Sequence, residues 1–357
     1  MLQNIVSLTK KFVAIKSTAG NPEAQEEILK LALENVKEYK TERFKHNGVK
    51  SALIFNTNKR PKKFKVILNG HLDVVPGKEN RYKPKIKSGR LYGVGALDMK
   101  ASAASLIMAF KGIARKVNYP LGLQLVTDEE VGGFNGTKHQ IVKGVRTEFV
   151  IAGEPTNFDI VNEAKGILTG KIYATGKTAH GAYPWRGENA IWKMNVFLNL
   201  LKKKYPTPEK ETWATVLNLA EIRTSNTALN KIPDDCSVLF DIRFLHENKD
   251  KISKEIKMIL PKKFGFEILE LEPPLRTDKN NKYLKVLQTA GRKIIAKNII
   301  LRGAHGTSDA RHFAKAGGVG VEFGPIGDGI GSDEEWVDIR SLEKYYQILK
   351  KFLLLLN

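Results

Sequence analysis

Four short segments carry a histidine and acids of the types that hold metal ions. NGHLDVVP contains His71 and Asp73, and GALDMK contains Asp98. TDEEVGG contains Asp128, Glu129 and Glu130, and GEPT contains Glu154. Imidazole nitrogen and carboxylate oxygen are donors that zinc accepts. Carboxylates crowded within a few ångströms raise one another's pKa and oppose folding unless a counter-charge sits among them. A divalent cation provides that charge, and two zinc ions about 3.5 Å apart need a carboxylate shared between them. Each segment alone has a plainer reading. His-x-Asp is commonly a surface turn, Asp98 could be a helix N-cap, and Glu129-Glu130 could be a solvated loop. Occurring together at successive strand ends, they point to a metal site.

The surrounding elements explain how these segments would meet. Residues 66–68, 121–126 and 149–152 are short apolar runs of the buried-strand type, and each leads directly into one of the acidic segments. Between the first two, residues 99–116 place Ala103, Leu106, Ile107, Phe110, Ile113 and Ala114 at helical spacing on one apolar face. Asp98 stands at the start of that helix. The alternation predicts an α/β fold, a mixed sheet flanked by helices, in which sites form outside the carboxyl ends of strands. The middle of the chain differs. Residues 167–174 and 236–244 read as strands, with a helix over 190–202 and a loop over 206–212 between them. This predicts a small α+β domain inserted into the larger one. After Pro273-Pro274 the first pattern resumes, with a helix over 282–296, a glycine-rich loop, a strand near 318–323 and a C-terminal helix from about Ser341. The expected division is a catalytic domain in two parts, 1–165 and 276–357, and an inserted lid domain, 166–275.

Composition narrows the function classes. A chain of 357 residues with 42% hydrophobic, 27% charged and 8% aromatic residues has the make-up of a folded globular protein rather than a disordered one. One cysteine, Cys236, excludes a disulfide framework and a cysteine-based zinc site. That usage fits a reducing compartment, so a cytoplasmic location is expected. The N-terminal run MLQNIVSLTKKFVAIKS is broken by Thr9, Lys10 and Lys11 and lacks the core of a signal peptide. The terminal LLLL is far short of the roughly 20 apolar residues of a membrane span. A net charge of +21 admits nucleic acid, an anionic membrane or an acidic substrate as partner. The basic residues are mostly scattered lysines, and the densest run, NKRPKKFK, has only Phe64 as an aromatic, so a stacking platform is missing. No nucleic acid and no membrane are expected, and a solvated lysine surface that also attracts an anionic substrate accounts for the charge.

Taken together, NGHLDVVP, GALDMKASAA, TDEEVGG, GEPT and the later TAHGAYPWRGENA resemble the di-zinc aminoacylase and carboxypeptidase superfamily of metallopeptidases. It includes succinyl-diaminopimelate desuccinylases, acetylornithine and acetyl-lysine deacetylases and several dipeptidases. The resemblance implies its zinc-peptidase fold with an inserted lid and dimerisation domain. It makes His71 and Glu154 ligands of one zinc, Glu130 a ligand of the other, and Asp98 the bridge. Asp73 takes the place of the carboxylate that fixes the tautomer of His71, and Glu129 that of the general base. His180 matches a lid histidine that reaches the partner subunit's site in dimeric members, so a homodimer is implied. By motif the desuccinylase branch is nearest, through AKGILTGKIYATG, NKIPDDCSVLFDIRF and GTSDARHFA. In that comparison Lys165, Asn230, Arg243, Gly306 and Thr307 fall where substrate-binding groups lie. Arg243 suits a substrate carboxylate, because guanidinium pairs with it through two bonds.

The match breaks at one position. The superfamily's last zinc ligand is a histidine shortly before an Asp-Glu or Asn-Glu step, and EFGPIGDGIGSDEEWVDI has Gly331 there. Three explanations compete. His305, in GAHGTSDARHF, supplies the imidazole instead, with His312 as a weaker candidate. Asp328 or Asp333 ligates, hardening the site towards another divalent ion. Or the second position is weak or empty. His305 is favoured, since a histidine gained on one loop balances one lost on another.

The expectation is therefore zinc-dependent hydrolysis of an amide bond in a small carboxylated N-acyl amino acid. Two zinc ions are expected and one is possible, with Co2+ or Mn2+ as substitutes. A dipeptidase or an acetyl-lysine or acetylornithine deacetylase is the alternative within the class. A catalytically silent binding protein with an impaired metal site is the alternative outside it.

Overall fold

The structure, a computed structural model, describes residues 1–357. The chain divides into two units, Met1–Glu163 with Leu275–Arg302 and Ser308–Asn357, and Ala164–Pro274 with Gly303–Thr307. The loop Gly303–Thr307, which the sequence reading assigned to the catalytic part, thus groups with the inserted unit.

The first unit is built on a mixed sheet. Its strands lie in the order Lys40–His46, Val49–Phe55, Leu121–Val126, Phe64–His71, Thr147–Ala152, Val319–Glu322, Ile160–Ala164 and Leu275–Arg276, and Leu301–Ala304 also pairs with Ile160–Ala164. The four central strands from Leu121–Val126 to Val319–Glu322 run parallel, and the neighbours on either side are antiparallel. Parallel strands are covered on both faces, which is why the central runs read as continuous apolar sequence. All six residues of Leu121–Val126 are buried.

Helix Ala101–Ile113 follows a short turn over Ala96–Lys100. Its sequence predicts one apolar face, yet 11 of its residues are buried. The reason is its place: it contacts the sheet, the N-terminal helix Leu2–Val13 and the C-terminal helix Ile339–Leu354. A helix enclosed in this way has no solvent face to pattern. The C-terminal helix starts two residues before the expected Ser341, where Asp338 accepts from the Ser341 amide. A small antiparallel sheet of Lys85–Lys87, Arg90–Tyr92, Trp336–Asp338 and Gly327–Asp328 fixes both ends of the loop that carries Gly331.

The second unit is an antiparallel sheet in the order Val216–Arg223, Asp235–Phe244, Gly166–Thr175 and Phe264–Glu272. Burial alternates residue by residue along Asp235–Phe244, so only one sheet face is covered. Phe197 and Leu201 of helix Ala190–Lys204 and Ile252 and Ile256 of helix Ile252–Ile259 close that face over Leu168, Ile172, Phe240 and Ile242. No helix of the chain is long and apolar enough to cross a membrane.

Candidate metal centre

His71 is the last residue of its parallel strand, and its side chain is 1% exposed. Its Nδ1 lies 3.0 Å from the Asp73 carbonyl oxygen and 3.6 Å from Asp73 Oδ1. Two acceptors on that side place the proton on Nδ1 and leave Nε2 with a free lone pair. Nε2 faces Asp98 Oδ1 at 3.1 Å and Glu154 Oε2 at 3.8 Å. These three donor atoms lie within 4.8 Å of one another. The nearest acceptor to His71 is the backbone of Asp73 rather than its carboxylate, whose Oδ2 accepts from the Glu130 amide at 3.0 Å. Asp73 thereby ties the His71 strand end to the Glu129-Glu130 turn.

Asp98 sits on a turn that a buried residue holds in shape. Glu335 is 2% exposed, and its carboxylate accepts from the amides of Gly95 (2.9 Å), Leu97 (2.7 Å) and Asp98 (3.0 Å). Burial pushes its pKa up to about 7 even against those three donors. Sequence reading gave Glu335 no role of its own, because it is one of three consecutive acids. Glu335→Ala leaves three buried amides without their acceptor, at about 1–3 kcal/mol each. We expect it to lower unfolding stability by at least about 3 kcal/mol and to weaken metal binding through Asp98, both measurable by denaturant unfolding with and without zinc.

Glu129 and Glu130 stand on the turn after strand Leu121–Val126. The turn closes through Gly132 N to Glu129 O (2.7 Å) and Gly133 N to Asp128 O (2.8 Å). Gly132 and Gly133 have φ of +101° and +64°. A Cβ on Gly133 would stand 1.9 Å from Asp309 Oδ1, so glycine is required there on two counts. Two residues of helix Ala310–Lys315 hold the turn from behind. Arg311 Nη2 donates to the Gly132 carbonyl at 2.7 Å, and His312 Nε2 donates to the same oxygen at 3.0 Å. Sequence reading took GTSDARHFA for a substrate loop and missed this positioning role.

That geometry makes His312 a pH-sensitive support. Burial lowers its pKa from the ordinary 6.5 to about 3, with Arg311 adding to the effect. The folded state therefore disfavours the imidazolium. The contribution to stability is complete above about 6.5 and is lost as pH falls from there towards about 3. His312→Gln keeps an N–H donor without titrating, so we expect unfolding free energy to fall less steeply between pH 6.5 and 4. An unchanged slope would contradict the assignment.

The acids of the site are strongly coupled. Withdrawal from water raises Glu129 well above the ordinary carboxylate range, and the charge of Glu154 adds to it. Burial likewise raises Glu154, and it lifts Glu130 to about 7. Burial works against a charged His71, but Asp98 and Glu154 override it and hold the imidazole pKa well above 6.5. Glu154 Oε1 is buried with no hydrogen-bond partner. A cation among these groups would satisfy that oxygen and return the carboxylates to their charged form. The residues present thus fit a divalent metal ion, with His71, Asp98 and Glu154 as its ligands.

The other candidate residues lie in the second unit. Lys165 is 1% exposed, and its ammonium stands over the Trp213 ring, 5.6 Å from the centroid. Arg243 Nε donates to both carboxylate oxygens of Asp241 at 3.0 Å, so its guanidinium already has one acid partner. Asn230 is exposed, and its carbonyl accepts from the Gly181 amide at 2.6 Å. His180 Nδ1 accepts from the Ala182 amide at 3.1 Å, which places the imidazole proton on Nε2. A Cβ on Gly306 would meet open space, and the Thr307 hydroxyl is buried without a partner. His305 Nε2 lies 3.1 Å from Glu211 Oε1, with its ring against Trp213. It is not part of the group formed by His71, Asp98 and Glu154.

A mixed sheet with His71 and Glu154 at its strand ends, Asp98 on the turn between them and a half-buried glutamate pair on the next turn defines a metal-dependent hydrolase. The chain belongs to peptidase family M20/M25/M40, whose model matches residues 67–355. It is 31% identical over 313 residues to succinyl-diaminopimelate desuccinylase of Pelagibacter ubique strain HTCC1062, covering 79% of this chain and 81% of that one. Among solved structures it resembles a Staphylococcus aureus tripeptidase at TM-score 0.82 and 19% identity, covering 99% of this chain and 98% of that one. It also resembles a dinuclear metal-binding M20 peptidase of Bacillus subtilis at TM-score 0.74 and 12% identity, covering 99% and 98%. The protein is a hydrolase that acts on amide bonds.

Proposed function

We propose that the protein uses zinc to hydrolyse the amide bond of a small N-acyl amino acid bearing a further carboxylate, as an N-succinyl group does. The observation that carries the reading is the His71–Asp98–Glu154 group with Glu129 beside it. A bound zinc supplies Lewis acidity there and lowers the pKa of water towards about 7. Asp98 and Glu130 are the donors left for a second ion. Glu129 takes a proton from the attacking water and returns it to the departing amine. A carboxylate raised by burial is matched to that exchange near neutral pH.

The substrate class is supported by the second unit. Lys165 is a buried cation with no carboxylate partner, and an anionic ligand group would compensate its lost hydration. Asn230, Arg243, Gly306 and Thr307 complete the proposed substrate-binding set. His180, with its proton on Nε2, is suited to donate to the developing oxyanion of a second copy's site. A homodimer is further supported by helix Ala190–Lys204, which leaves Trp192, Val196 and Leu200 exposed. A cytoplasmic location accords with the single buried thiol.

Amine release from N-succinyl, N-acetyl and dipeptide substrates by zinc-loaded protein tests the reading. N-succinyl amino acids should give the highest kcat/KM, and Lys165→Ala should raise KM for them while sparing N-acetyl substrates. A preference for uncharged dipeptides would overturn the substrate class.

A further inference from the structure

The donors of the centre are gathered unevenly around Asp98. On one side, His71 and Glu154 complete a three-atom cradle with it. Both have firm support. His71 is held through the Asp73 carbonyl. The loop after Glu154 is tied down where Thr156 Oγ1 accepts from Gly324 N at 3.0 Å and Asn157 Oδ1 accepts from Gly327 N at 3.0 Å. Glu130, which the resemblance makes a ligand of the second ion, lies outside the cradle group.

By the resemblance, the loop that carries Gly331 supplies the last donor, and a glycine has none to offer. Gly331 has φ of +68°, and nothing stands within 4 Å of where its Cβ would be. Two acids of the same loop are engaged elsewhere: Asp328 Oδ1 accepts from the Gly329 amide at 2.8 Å, and Asp333 pairs with Lys78. The two histidines that could stand in are also engaged, His305 with Glu211 and His312 with the Gly132 carbonyl. Zinc sites are closed by imidazole and thiolate donors far more often than by two carboxylates alone.

We infer that the protein binds one divalent ion tightly, on His71, Asp98 and Glu154, and a second only weakly, because Gly331 contributes no imidazole. The inference rests on the metal-centre reading above. The open space at Gly331 leaves room for a side chain there. Histidine is among the residues that tolerate its left-handed backbone.

The test is zinc stoichiometry, with no substrate involved. Metal-free wild type, Gly331→His and Gly331→Ala would be saturated with zinc, desalted and analysed for retained metal, with calorimetric titration alongside. Wild type and Gly331→Ala should retain one zinc per chain, and Gly331→His should retain two. In the titration the histidine should tighten the second event by at least about 100-fold, the upper end of what residues behind a ligand confer. Two tightly held ions in wild type would overturn the inference and leave the metal centre standing. A single retained ion in folded Gly331→His would overturn Gly331 as the cause. Retention of none in wild type would overturn the metal centre itself. Gly331→Ala reports the backbone strain alone, so a folding defect shared by both variants would leave the wild-type stoichiometry as the deciding result.

Discussion

Glu129→Gln is expected to lower kcat by about 10³-fold while leaving metal content unchanged, within the range of about 10²–10⁴ that a positioned acid–base group contributes. Glutamine keeps the shape and the hydrogen-bonding oxygen but cannot carry a proton between water and amine. Glu129 is outside the group of potential ligands, so its loss should not release the metal. The turn that holds it is independently fixed by Gly132, Gly133 and Arg311, so the substitution should not move its neighbours. The variant also removes a buried carboxylate that faces Glu154, and the metal-free protein should become more stable for it. Turnover and metal content measured on the same preparation check both halves. Turnover near that of the wild type would exclude Glu129 as the base.

The second large effect is expected at His71. His71→Ala removes the only nitrogen donor of the cradle and leaves Asp98 and Glu154 facing each other without it. Residues behind a ligand change metal affinity by about 10–100-fold, so loss of the ligand itself should exceed about 100-fold. The protein should then lose zinc on desalting and show only background amine release. Equilibrium dialysis against a zinc buffer would measure it. Zinc retention like that of the wild type would show that the ion is held elsewhere.

The parts of the fold that a sequence displays are those whose burial is uniform or strictly alternating. The central strands are buried on both faces and announce themselves as apolar runs, and the acidic segments follow at their ends. Asp235–Phe244 alternates and was equally plain. The two edge strands of the same sheet, Val216–Arg223 and Phe264–Glu272, were not read as strands. Most of their residues are exposed or half-buried, so no periodic apolar signal exists.

The metal cradle was legible because its donors are chemically unusual in company. Its supports were not, because their chemistry is ordinary until the fold supplies a partner. Glu335 looks like one acid in an acidic run, yet it receives three amides from a turn 237–240 residues earlier. Lys100 looks like a surface lysine at the start of a helix. It is fully buried, with Nζ donating to the Ile15 carbonyl at 2.8 Å, and burial lowers its pKa to about 7. Arg311 and His312 converge on a single carbonyl that no local pattern identifies. The compensating role read into His305 came from counting histidines. Within its own unit that residue has Glu211 and Trp213 as neighbours.

Zinc titration of catalysis tests the account most directly. Protein stripped by a chelator would be given an N-succinyl amino acid, and amine release followed as zinc is restored. The account predicts no release at the start, a rise with added zinc, and saturation. Undiminished release from stripped protein would contradict it, and so would silence from folded, zinc-loaded protein across N-succinyl, N-acetyl and dipeptide substrates.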